Sequence, residues 1–389
     1  MTEATFMGFQ RKDGRVGTRN YLAILPTVFC VNEVVSILGS KIPGSKLLLH
    51  NHGCCELKPD LDRVRDVLMG LITNPNVGAC VIVSLGCEGI SPEVLHRSAQ
   101  EAGKPSFYIQ LHEAGGMTNA VETCMTKIPA LLAELDAQKR IPVPASKLVV
   151  GIKCGSSDAT SGLIANPTVG LVVDQLLDHG GQVIFGETTE IIGAEHILAE
   201  RCINLEVRQD LLRMVTRVEE RVKRAGVDMR GSQPTPGNIR GGLTTIEEKS
   251  LGAISKSGTK PIQGVLYYGQ SVREAGLYVM DSPGKEDEIM TGLAAAGANL
   301  ILFTTGGGAP QGFPIVPVVK VASNPKMVQK MREHIDIDAS GILEGLTTMA
   351  DLKEEIWSKS FEVSSGTLTR AEELSYDRSI GIPTIESSI

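Results

Sequence analysis

Apolar positions along the chain fall into short continuous runs separated by stretches with helical spacing, and the clearest example begins at Leu148. The run Leu148–Ile152 has the length of a strand and stops at a polar turn rich in glycine and serine. A helix is predicted after this turn, with Asn166 as its N-cap and Pro167 at its first position. Apolar residues at helical spacing continue to Gly180, where a helix-ending glycine is expected. The pattern predicts a buried strand, a loop and an amphipathic helix.

The same alternation of strand and helix recurs along most of the chain, which is typical of α/β proteins with parallel sheets. A basic, proline-containing stretch, Ala137–Ala145, predicts a linker. The expected fold class is therefore α/β, with two domains, 1–140 and 141–389, that contain mainly parallel sheets flanked by helices. The other predicted strands are Tyr21–Pro26, Lys46–Leu49, Ala79–Leu85, Ser106–Gln110, Gln182–Phe185, Gly264–Tyr268, Gly276–Met280, Asn299–Phe303 and Ile315–Val321.

Composition and charge narrow the class of protein further. The 389-residue chain has a net charge of −7, which gives no electrostatic footprint for nucleic acid. Its longest apolar runs have the length of strands, so no membrane span is predicted. The first residues lack the apolar core of a signal peptide, and we expect a cytoplasmic protein. In that compartment the eight cysteines indicate metal binding or catalysis rather than disulfides.

Cys54, Cys87 and Cys154 share one context, because each follows a predicted buried strand. If those strands are parallel, the three thiols lie at the same kind of sheet edge, although in two domains. Three thiolates could hold a metal and leave one coordination position open, as catalytic sites do. Soft thiolates favour zinc or iron, including iron–sulfur clusters. The alternative is that the three cysteines are unrelated packing residues.

Acid–base candidates cluster after two of the strands in the second half. Asp158 lies in the turn that carries Cys154, while Glu187 and Glu190 directly follow the strand Gln182–Phe185. His196 lies in the helix that comes next. Carboxylates and an imidazole at the carboxyl ends of strands are suited to general acid–base catalysis or to further metal ligation.

Residues suited to binding an anionic substrate occur in three separate loops. Arg19 ends a basic, glycine-containing segment before the first predicted strand, which is either a carboxylate-binding loop or a solvated entry loop. Asn238 and Arg240 lie in Gln233–Gly242, a stretch without a predicted regular element that is either a binding loop or an interface arm. Thr304 and Thr305 open a glycine turn that could form an anion nest, although it lacks the Walker A sequence.

Several motifs, spread in order over nearly the whole chain, resemble the altronate/galactarate dehydratase family. They are GRVGTRN (Gly14–Asn20), HNHGCCE (His50–Glu56), LGCEG (Leu85–Gly89), KCGSSDATSG with ANPTVG (Lys153–Gly170), GETTEIIGAEH (Gly186–His196), QPTPGNIRGGLTTIEEKSLG (Gln233–Gly252) and MDSPG (Met280–Gly284). The resemblance implies a metal-dependent hydro-lyase that converts a sugar acid such as altronate to a 2-keto-3-deoxy acid. It also implies Fe²⁺ as cofactor, with an iron–sulfur cluster or Mn²⁺ as alternatives.

The resemblance also implies a partner and a rival substrate. Full-length enzymes of the family carry an additional small N-terminal domain, whereas this chain begins at the core, as do the large subunits of split forms. A small separate subunit and a homo- or hetero-oligomer are therefore expected. A close branch, the sulfolactate sulfo-lyase large subunit, eliminates sulfite instead of water. Gly307 stands where an arginine is expected in the sugar-acid enzymes, whereas Cys54 and Cys87 favour a dehydratase.

On the dehydratase hypothesis the reaction is a β-elimination from a 2,3-dihydroxy acid. A base removes the C2 proton, a metal or an acid assists departure of the C3 group, and the enol becomes a 2-keto acid. Arg19 and Arg240 are candidate clamps for the substrate carboxylate. The alternatives are a non-catalytic metal-binding core subunit and a nucleotide-dependent enzyme that uses the glycine turn as a phosphate site.

Overall fold

The computed structural model describes residues 4–272 and 274–386, except for the side chain of Ser232. In the first part of the chain the strands are β1 (Thr5–Gln10), β2 (Val16–Gly17), β3 (Tyr21–Pro26), β4 (Lys46–Leu47), β5 (Val77–Ser84), β6 (Ser106–Gln110) and β7 (Ile141–Pro144). The helices there are α1 (Asn32–Lys41), α2 (Lys58–Thr73), α3 (Pro92–Glu101), α4 (Leu111–Ala114) and α5 (Met117–Ala137).

The second part of the chain repeats the alternation on a larger scale. Its strands are β8 (Val149–Gly155), β9 (Gln182–Phe185), β10 (Ile262–Leu266), β11 (Gly276–Met280), β12 (Leu300–Thr305), β13 (Val318–Ala322) and β14 (Ile337–Asp338). Its helices are α6 (Asn166–Asp178), α7 (Glu195–Glu200), α8 (Leu205–Arg224), α9 (Met229–Ser232), α10 (Pro236–Arg240), α11 (Ile246–Ile254), α12 (Glu286–Ala295), α13 (Pro325–Lys330), α14 (Met349–Ser364) and α15 (Arg370–Glu373).

Two parallel sheets form the framework, as the sequence predicts, and this confirms the α/β class. The first sheet has four strands in the order β4-β3-β5-β6. Its central strand β5 is buried along all of its length, which explains its unbroken apolar sequence. Helices pack on both faces because each face of a parallel sheet must be covered.

The second sheet has seven parallel strands in the order β10-β11-β9-β8-β12-β13-β14. From β8 the chain first adds strands on one side, through β9, β10 and β11, and then returns to add β12, β13 and β14 on the other side. The strand order therefore reverses between β8 and β12. In open α/β sheets such a reversal point opens a crevice at the carboxyl ends of the strands, where ligands bind.

The predicted linker, Ala137–Ala145, is an ordered part of the fold rather than a free connection. It contains β7, which pairs antiparallel with β1, and β1 pairs in turn with β2. The prolines of β7 are tolerated because the strand lies at the edge of this small sheet. Phe6 of β1 and Val143 of β7 pack into the core of the seven-stranded sheet. The first strand of the chain therefore packs with the second unit.

The two units share one hydrophobic core at their interface. Helices α2 and α12 pack against each other, and their buried residues, Leu68 and Leu293 among them, belong to a common cluster. The C-terminal segment then returns to the first unit, where the Asp60 carboxylate accepts hydrogen bonds from the backbone N–H groups of Ile385 (2.6 Å) and Glu386 (3.0 Å). Among the helices described, none has the length and apolarity needed to cross a membrane.

Candidate active site

A polar cleft of about 490 Å³ lies at the carboxyl ends of β8, β9 and β12, where the strand order reverses. The loop after β8 forms its floor, the segment that contains α10 covers one side, and the glycine turn after β12 forms another wall. Its size is within the ~300–1,000 Å³ of ordinary small-molecule sites. The position and the polar lining make this cleft the candidate active site.

A buried ion pair between Lys153 and Glu187 lies in this cleft. Lys153 is on β8 and is 2% exposed, and its ammonium group donates hydrogen bonds to Glu187 Oε2 and to the Gly284 carbonyl, the latter at 3.2 Å. Glu187 follows β9 with a left-handed backbone (φ 67°), an uncommon conformation for a residue with a side chain. Its carboxylate lies so close to Gly284 that a Cβ there would be 2.4 Å from Oε1. The backbone thus holds this carboxylate in one place.

Burial and neighbouring charges move the two pKa values of this pair in directions that fit catalysis. Burial, followed by repulsion from Glu190, raises the pKa of Glu187 to about 7. Burial disfavours the charged form of Lys153, but the two glutamates outweigh it and raise its pKa above the ordinary value. Lys153 therefore stays protonated, whereas Glu187 can exchange a proton near neutral pH.

A second buried pair, Glu190 and Lys256, lies behind the first. The Lys256 ammonium donates to Glu190 Oε2 at 2.7 Å, and both side chains are 2% exposed. Burial favours the neutral form of Glu190, but Lys256 and Lys153 outweigh it and lower its pKa. Ser157 Oγ lies 3.3 Å from Glu190 Oε1 and 3.2 Å from the sulfur of Cys154. This chain of contacts fixes the floor of the cleft.

Cys154 is the last residue but one of β8 and is fully buried, whereas the sequence placed it after the strand. The Asn166 side-chain amide lies 3.5 Å from its sulfur and donates at 3.0 Å to the Gly252 carbonyl. Asn166 is not the predicted N-cap, because a π-helical turn, Ser161–Ala165, runs directly into α6. Its side chain is instead a buried polar link in the floor of the cleft.

Asp158 shapes the loop after β8 rather than projecting as a free carboxylate. Its Oδ1 accepts from the backbone N–H of Ser161 at 2.8 Å, and its Oδ2 accepts from the Asn324 amide at 2.8 Å. A Cβ at Gly306 would lie 2.1 Å from the Asp158 carboxyl carbon, so the glycine allows the β12 turn to approach this loop. Asp158 thus connects the floor of the cleft to the wall formed by the glycine turn.

The segment Gln233–Gly242 contains a regular element, which corrects the prediction of an irregular loop. Thr235 caps α10 in a capping box with Asn238, whose amide also donates to the Ser157 carbonyl at 2.8 Å. Arg240 is exposed and lines the rim of the cleft. The helix therefore fastens Asn238 to the floor and presents a guanidinium group at the entrance.

Thr304 and Thr305 are fully buried, and their hydroxyl groups are used within the protein. Thr304 Oγ1 donates to Asn166 Oδ1 at 2.5 Å, and Thr305 Oγ1 accepts from the N–H groups of Gly308 and Ala309, both at 3.0 Å. These contacts hold the glycine turn in shape, which is a positioning role.

Other predicted site residues lie elsewhere. The Arg19 guanidinium forms two 2.8 Å hydrogen bonds to the Glu372 carboxylate and is 4% exposed, as expected of a structural ion pair between the body and the C-terminal segment. His196 is exposed on α7 and does not line the cleft. Cys54 and Cys87 are exposed on loops of the first unit. The structure thus brings together Cys154, Asp158, Glu187, Glu190, Asn238 and Arg240, with Thr304 and Thr305 behind them.

Comparison with known proteins places this chain in a family. Residues 145–385 match the model of the D-galactarate/altronate dehydratase C-terminal domain, and residues 8–136 match that of the second domain of D-galactarate dehydratase/altronate hydrolase. The chain belongs to this dehydratase family. The resemblance predicted from the sequence motifs is confirmed.

Three relatives of this chain carry the names of three different enzymes. The (2R)-sulfolactate sulfo-lyase subunit beta of Chromohalobacter salexigens is 37% identical, over 96% of this chain and 95% of its own. The altronate dehydratase of Bacillus subtilis is 33% identical, over 95% of this chain and 75% of its own. The galactarate dehydratase (L-threo-forming) of Escherichia coli is 33% identical, over 93% of this chain and 73% of its own.

The three cysteines predicted as metal ligands are divided between the two units of this dehydratase-family chain. Cys154 is buried in the cleft, whereas Cys54 and Cys87 are exposed at the edge of the four-stranded sheet. Within the described ranges, no three His, Cys, Asp or Glu side chains are arranged to hold a metal ion. The cleft carboxylates Glu187 and Glu190 are paired with ammonium groups. The described residues do not fit a metal held by this cysteine triad, and iron dependence stays a prediction.

Two buried lysines that pair with carboxylates of the cleft were missed by the sequence reasoning. Lys153 interrupts an otherwise apolar buried strand, and such a position is costly unless the charge is paired. That signal could have identified it. Lys256 lies just after α11 in a short polar stretch, and its burial depends on contacts with Glu190 that the local sequence does not reveal.

Proposed function

We propose that this chain is a lyase that removes water from a sugar acid, or a related 2,3-dihydroxy acid such as altronate, and yields a 2-keto-3-deoxy acid. The observation that carries the proposal is the Lys153–Glu187 pair, buried in the cleft where the sheet order of a dehydratase-family chain reverses. Elimination beside a carboxylate needs a base and a fixed positive charge, and this pair supplies both.

In the proposed reaction the Glu187 carboxylate removes the C2 proton of the substrate. Lys153 is excluded as the base because its neighbours raise its pKa and keep it protonated. Glu190 is the weaker base, because Lys256 and Lys153 lower its pKa and the Lys256 ammonium occupies one of its oxygens. The carbanion that forms places negative charge on the substrate carboxylate, and the Lys153 ammonium lies beside the base to stabilise it. The C3 hydroxyl then leaves as water with the proton that Glu187 had taken up, which gives an enol and restores the carboxylate, and the enol becomes the 2-keto acid.

The rim of the cleft supports the choice of an anionic, polar substrate. Arg240 is exposed at the entrance, where a guanidinium group can bind a carboxylate with two parallel hydrogen bonds. Lys249 also lines the cleft. A chain of hydroxyl-bearing carbons would find donors and acceptors from backbone and side chains along the cleft walls.

Cofactor, partner and location complete the proposal. Dependence on Fe²⁺, which the family resemblance implies, is kept as a proposal, and no step of the reaction is assigned to the metal. A relative is named as one subunit of its enzyme, which supports a second subunit as partner here. The cytoplasmic location expected from the sequence stays a prediction.

A second candidate is the elimination of sulfite from (2R)-sulfolactate. It is favoured by the similarity to the sulfo-lyase subunit, which extends over 95% of that chain, and by Gly307 in place of the expected arginine. Removal of a proton at C2 by Glu187 is common to both reactions, so they differ only in the group that leaves C3. The residues of the cleft are therefore compatible with both reactions, and activity on each substrate distinguishes them.

The experiment offers the purified protein altronate, galactarate and (2R)-sulfolactate in separate reactions, with and without Fe²⁺. The formation of 2-keto acid and the release of sulfite are measured. Keto acid from altronate or galactarate without sulfite supports the dehydratase. Sulfite from sulfolactate alone supports the second candidate. No product from any of the three substrates, also with a small partner subunit supplied, would contradict both candidate reactions.

A further inference from the structure

The loop 50–56, between β4 and α2, carries motif residues that the proposed reaction does not use. It lies at the carboxyl edge of the four-stranded sheet, in the first unit, and does not line the candidate active site. We call it the thiol-pair loop, because Cys54 and Cys55 are adjacent in it and both are exposed. It is therefore a separate feature that calls for its own chemistry.

The thiol-pair loop is held firmly on both sides of its cysteines. His50 Nε2 lies 2.9 Å from the Pro26 carbonyl, and its Nδ1 accepts from the backbone N–H of His52 at 3.1 Å. Glu56 contacts His52 Nδ1 at 2.5 Å through one oxygen and accepts from the Gly53 N–H at 3.1 Å through the other. Both ring nitrogens of His50 are thus engaged within the protein, and the loop has little freedom outside its two thiols.

The two thiols are already in contact. The sulfur atoms of Cys54 and Cys55 are 3.5 Å apart. Cys55 adopts a left-handed backbone (φ 59°). A disulfide requires a sulfur separation of about 2.05 Å, so closure needs a movement of roughly 1.5 Å by groups that face solvent. Neighbouring Cα atoms are only about 3.8 Å apart, shorter than in an ordinary disulfide, and the resulting ring would be strained and easily reduced.

We propose that Cys54 and Cys55 form a reversible dithiol modification site that a hydroperoxide converts to a vicinal disulfide. The first thiolate attacks the peroxide, the O–O bond breaks, and a sulfenic acid and an alcohol or water are formed. The sulfur of the second cysteine then attacks the sulfenic sulfur, the S–S bond forms, and water leaves. Two thiols lose two electrons in total, and the peroxide accepts them. A dithiol reductant reverses the change.

The thiol-pair loop is hydrogen-bonded to a neighbouring loop that carries another exposed cysteine. The Gly53 carbonyl accepts a hydrogen bond from the Gly89 N–H at 3.3 Å, which connects the thiol-pair loop to the loop after β5. That second loop carries Cys87, another exposed thiol, and is anchored by Glu88, whose Oε2 accepts from the Gly86 N–H at 2.6 Å. Cys87 is therefore the matched control, because it is an exposed cysteine on an adjoining loop.

The test treats the reduced full-length protein with one equivalent of hydrogen peroxide, blocks the remaining thiols with iodoacetamide and maps the peptides by mass spectrometry. We expect the peptide that contains Cys54 and Cys55 to lose two hydrogens and to escape alkylation. Dithiothreitol should restore the two hydrogens and the reaction with iodoacetamide. Cys54→Ser and Cys55→Ser should each abolish this loss, whereas Cys87→Ser should retain it. A cross-link from Cys54 or Cys55 to any other cysteine, or a sulfinic acid without a disulfide, would overturn the proposal.

Phenylarsine oxide provides a second measurement that does not depend on any variant. Its trivalent arsenic bridges two neighbouring thiols, so one equivalent should protect both Cys54 and Cys55 of the unchanged protein from iodoacetamide. Alkylation of both residues in the presence of the arsenical would contradict the proposal. The measurement remains decisive even if a serine variant fails to fold.

Discussion

Replacement of Glu187 by glutamine is the most direct test of the proposed chemistry. The change keeps the shape and one acceptor oxygen of the side chain but removes its ability to take up a proton. General base catalysis by a positioned side chain contributes about 10²–10⁴-fold, so we expect kcat of Glu187→Gln to fall by that factor. KM should change little, because substrate binding is assigned to other residues of the cleft.

The same substitution has a cost in stability that must be separated from the loss of activity. Lys153 is 2% exposed and loses its carboxylate partner, and breaking a buried pair on one side costs about 3–5 kcal/mol. The glutamine oxygen and the Gly284 carbonyl, 3.2 Å from the Lys153 ammonium, remain as acceptors. We therefore expect a smaller loss, of about 1–3 kcal/mol, in the free energy of unfolding measured with urea.

The pH profile provides a check on the identity of the base. Burial and Glu190 raise the pKa of Glu187 to about 7, and the ionised form is the active base. The kcat/KM of the unchanged protein should therefore rise with pH up to about 7 and level off above it. Glu187→Gln should lose this rising limb. Glu286→Gln, a half-buried carboxylate of the same cleft, is the matched control and should keep both the rate and the limb. A folded Glu187→Gln protein with an unchanged kcat would refute the assignment.

Further predictions concern residues inside and outside the cleft. Arg19→Ala removes the partner of buried Glu372 and should lower the free energy of unfolding by about 3–5 kcal/mol. The kcat/KM per folded molecule should stay the same. A specific rise in KM would restore the predicted role of Arg19 in substrate binding. Arg240→Ala should raise KM about tenfold or more without altering urea unfolding, because the side chain is exposed. Burial lowers the pKa of His50 to about 4. As the pH falls from 6.5 to 4, the unfolded chain takes up this proton more readily than the folded protein, so the free energy of unfolding should fall by about 3 kcal/mol. His50→Gln should flatten this pH dependence in urea titrations. Cys87→Ser should leave the iron content of anaerobically purified protein unchanged, and a proportional loss of iron would reinstate this cysteine as a ligand.

The framework of the fold was predictable from the sequence because buried parallel strands leave a strong local signal. β6, β9 and β11 begin and end at the predicted residues. β13 begins at Val318, three residues later than predicted, since Pro317 has no N–H group to donate to the ladder. The stretch around β7 was predicted as a linker because prolines suggest irregular structure, yet a strand at the edge of a sheet tolerates them.

The content of the cleft was predictable only in part. Glu187, Glu190 and Asp158 were found because they follow strands, and strand ends in a parallel sheet meet at one edge. The same reasoning grouped Cys54 and Cys87 with Cys154, although the chain has two parallel sheets and each has its own carboxyl edge. Sequence position fixes which end of a strand a residue occupies. It does not say how the carboxyl edge of one sheet is placed relative to that of the other.

Lys153 and Lys320 show why side-chain partners decide function where the sequence pattern is the same. Each interrupts an apolar, buried strand of the same sheet, and each is at most 2% exposed. Lys153 meets Glu187, and the neighbouring carboxylates raise its pKa despite burial. Lys320 donates to the Pro310 carbonyl at 3.0 Å, and burial outweighs Asp336 and lowers its pKa to about 8. A lysine paired with a carboxylate keeps a fixed charge beside a group that can move a proton, whereas a lysine held by a carbonyl has no such partner. Only the first arrangement, placed where the strand order reverses, provides both parts that an elimination beside a carboxylate requires.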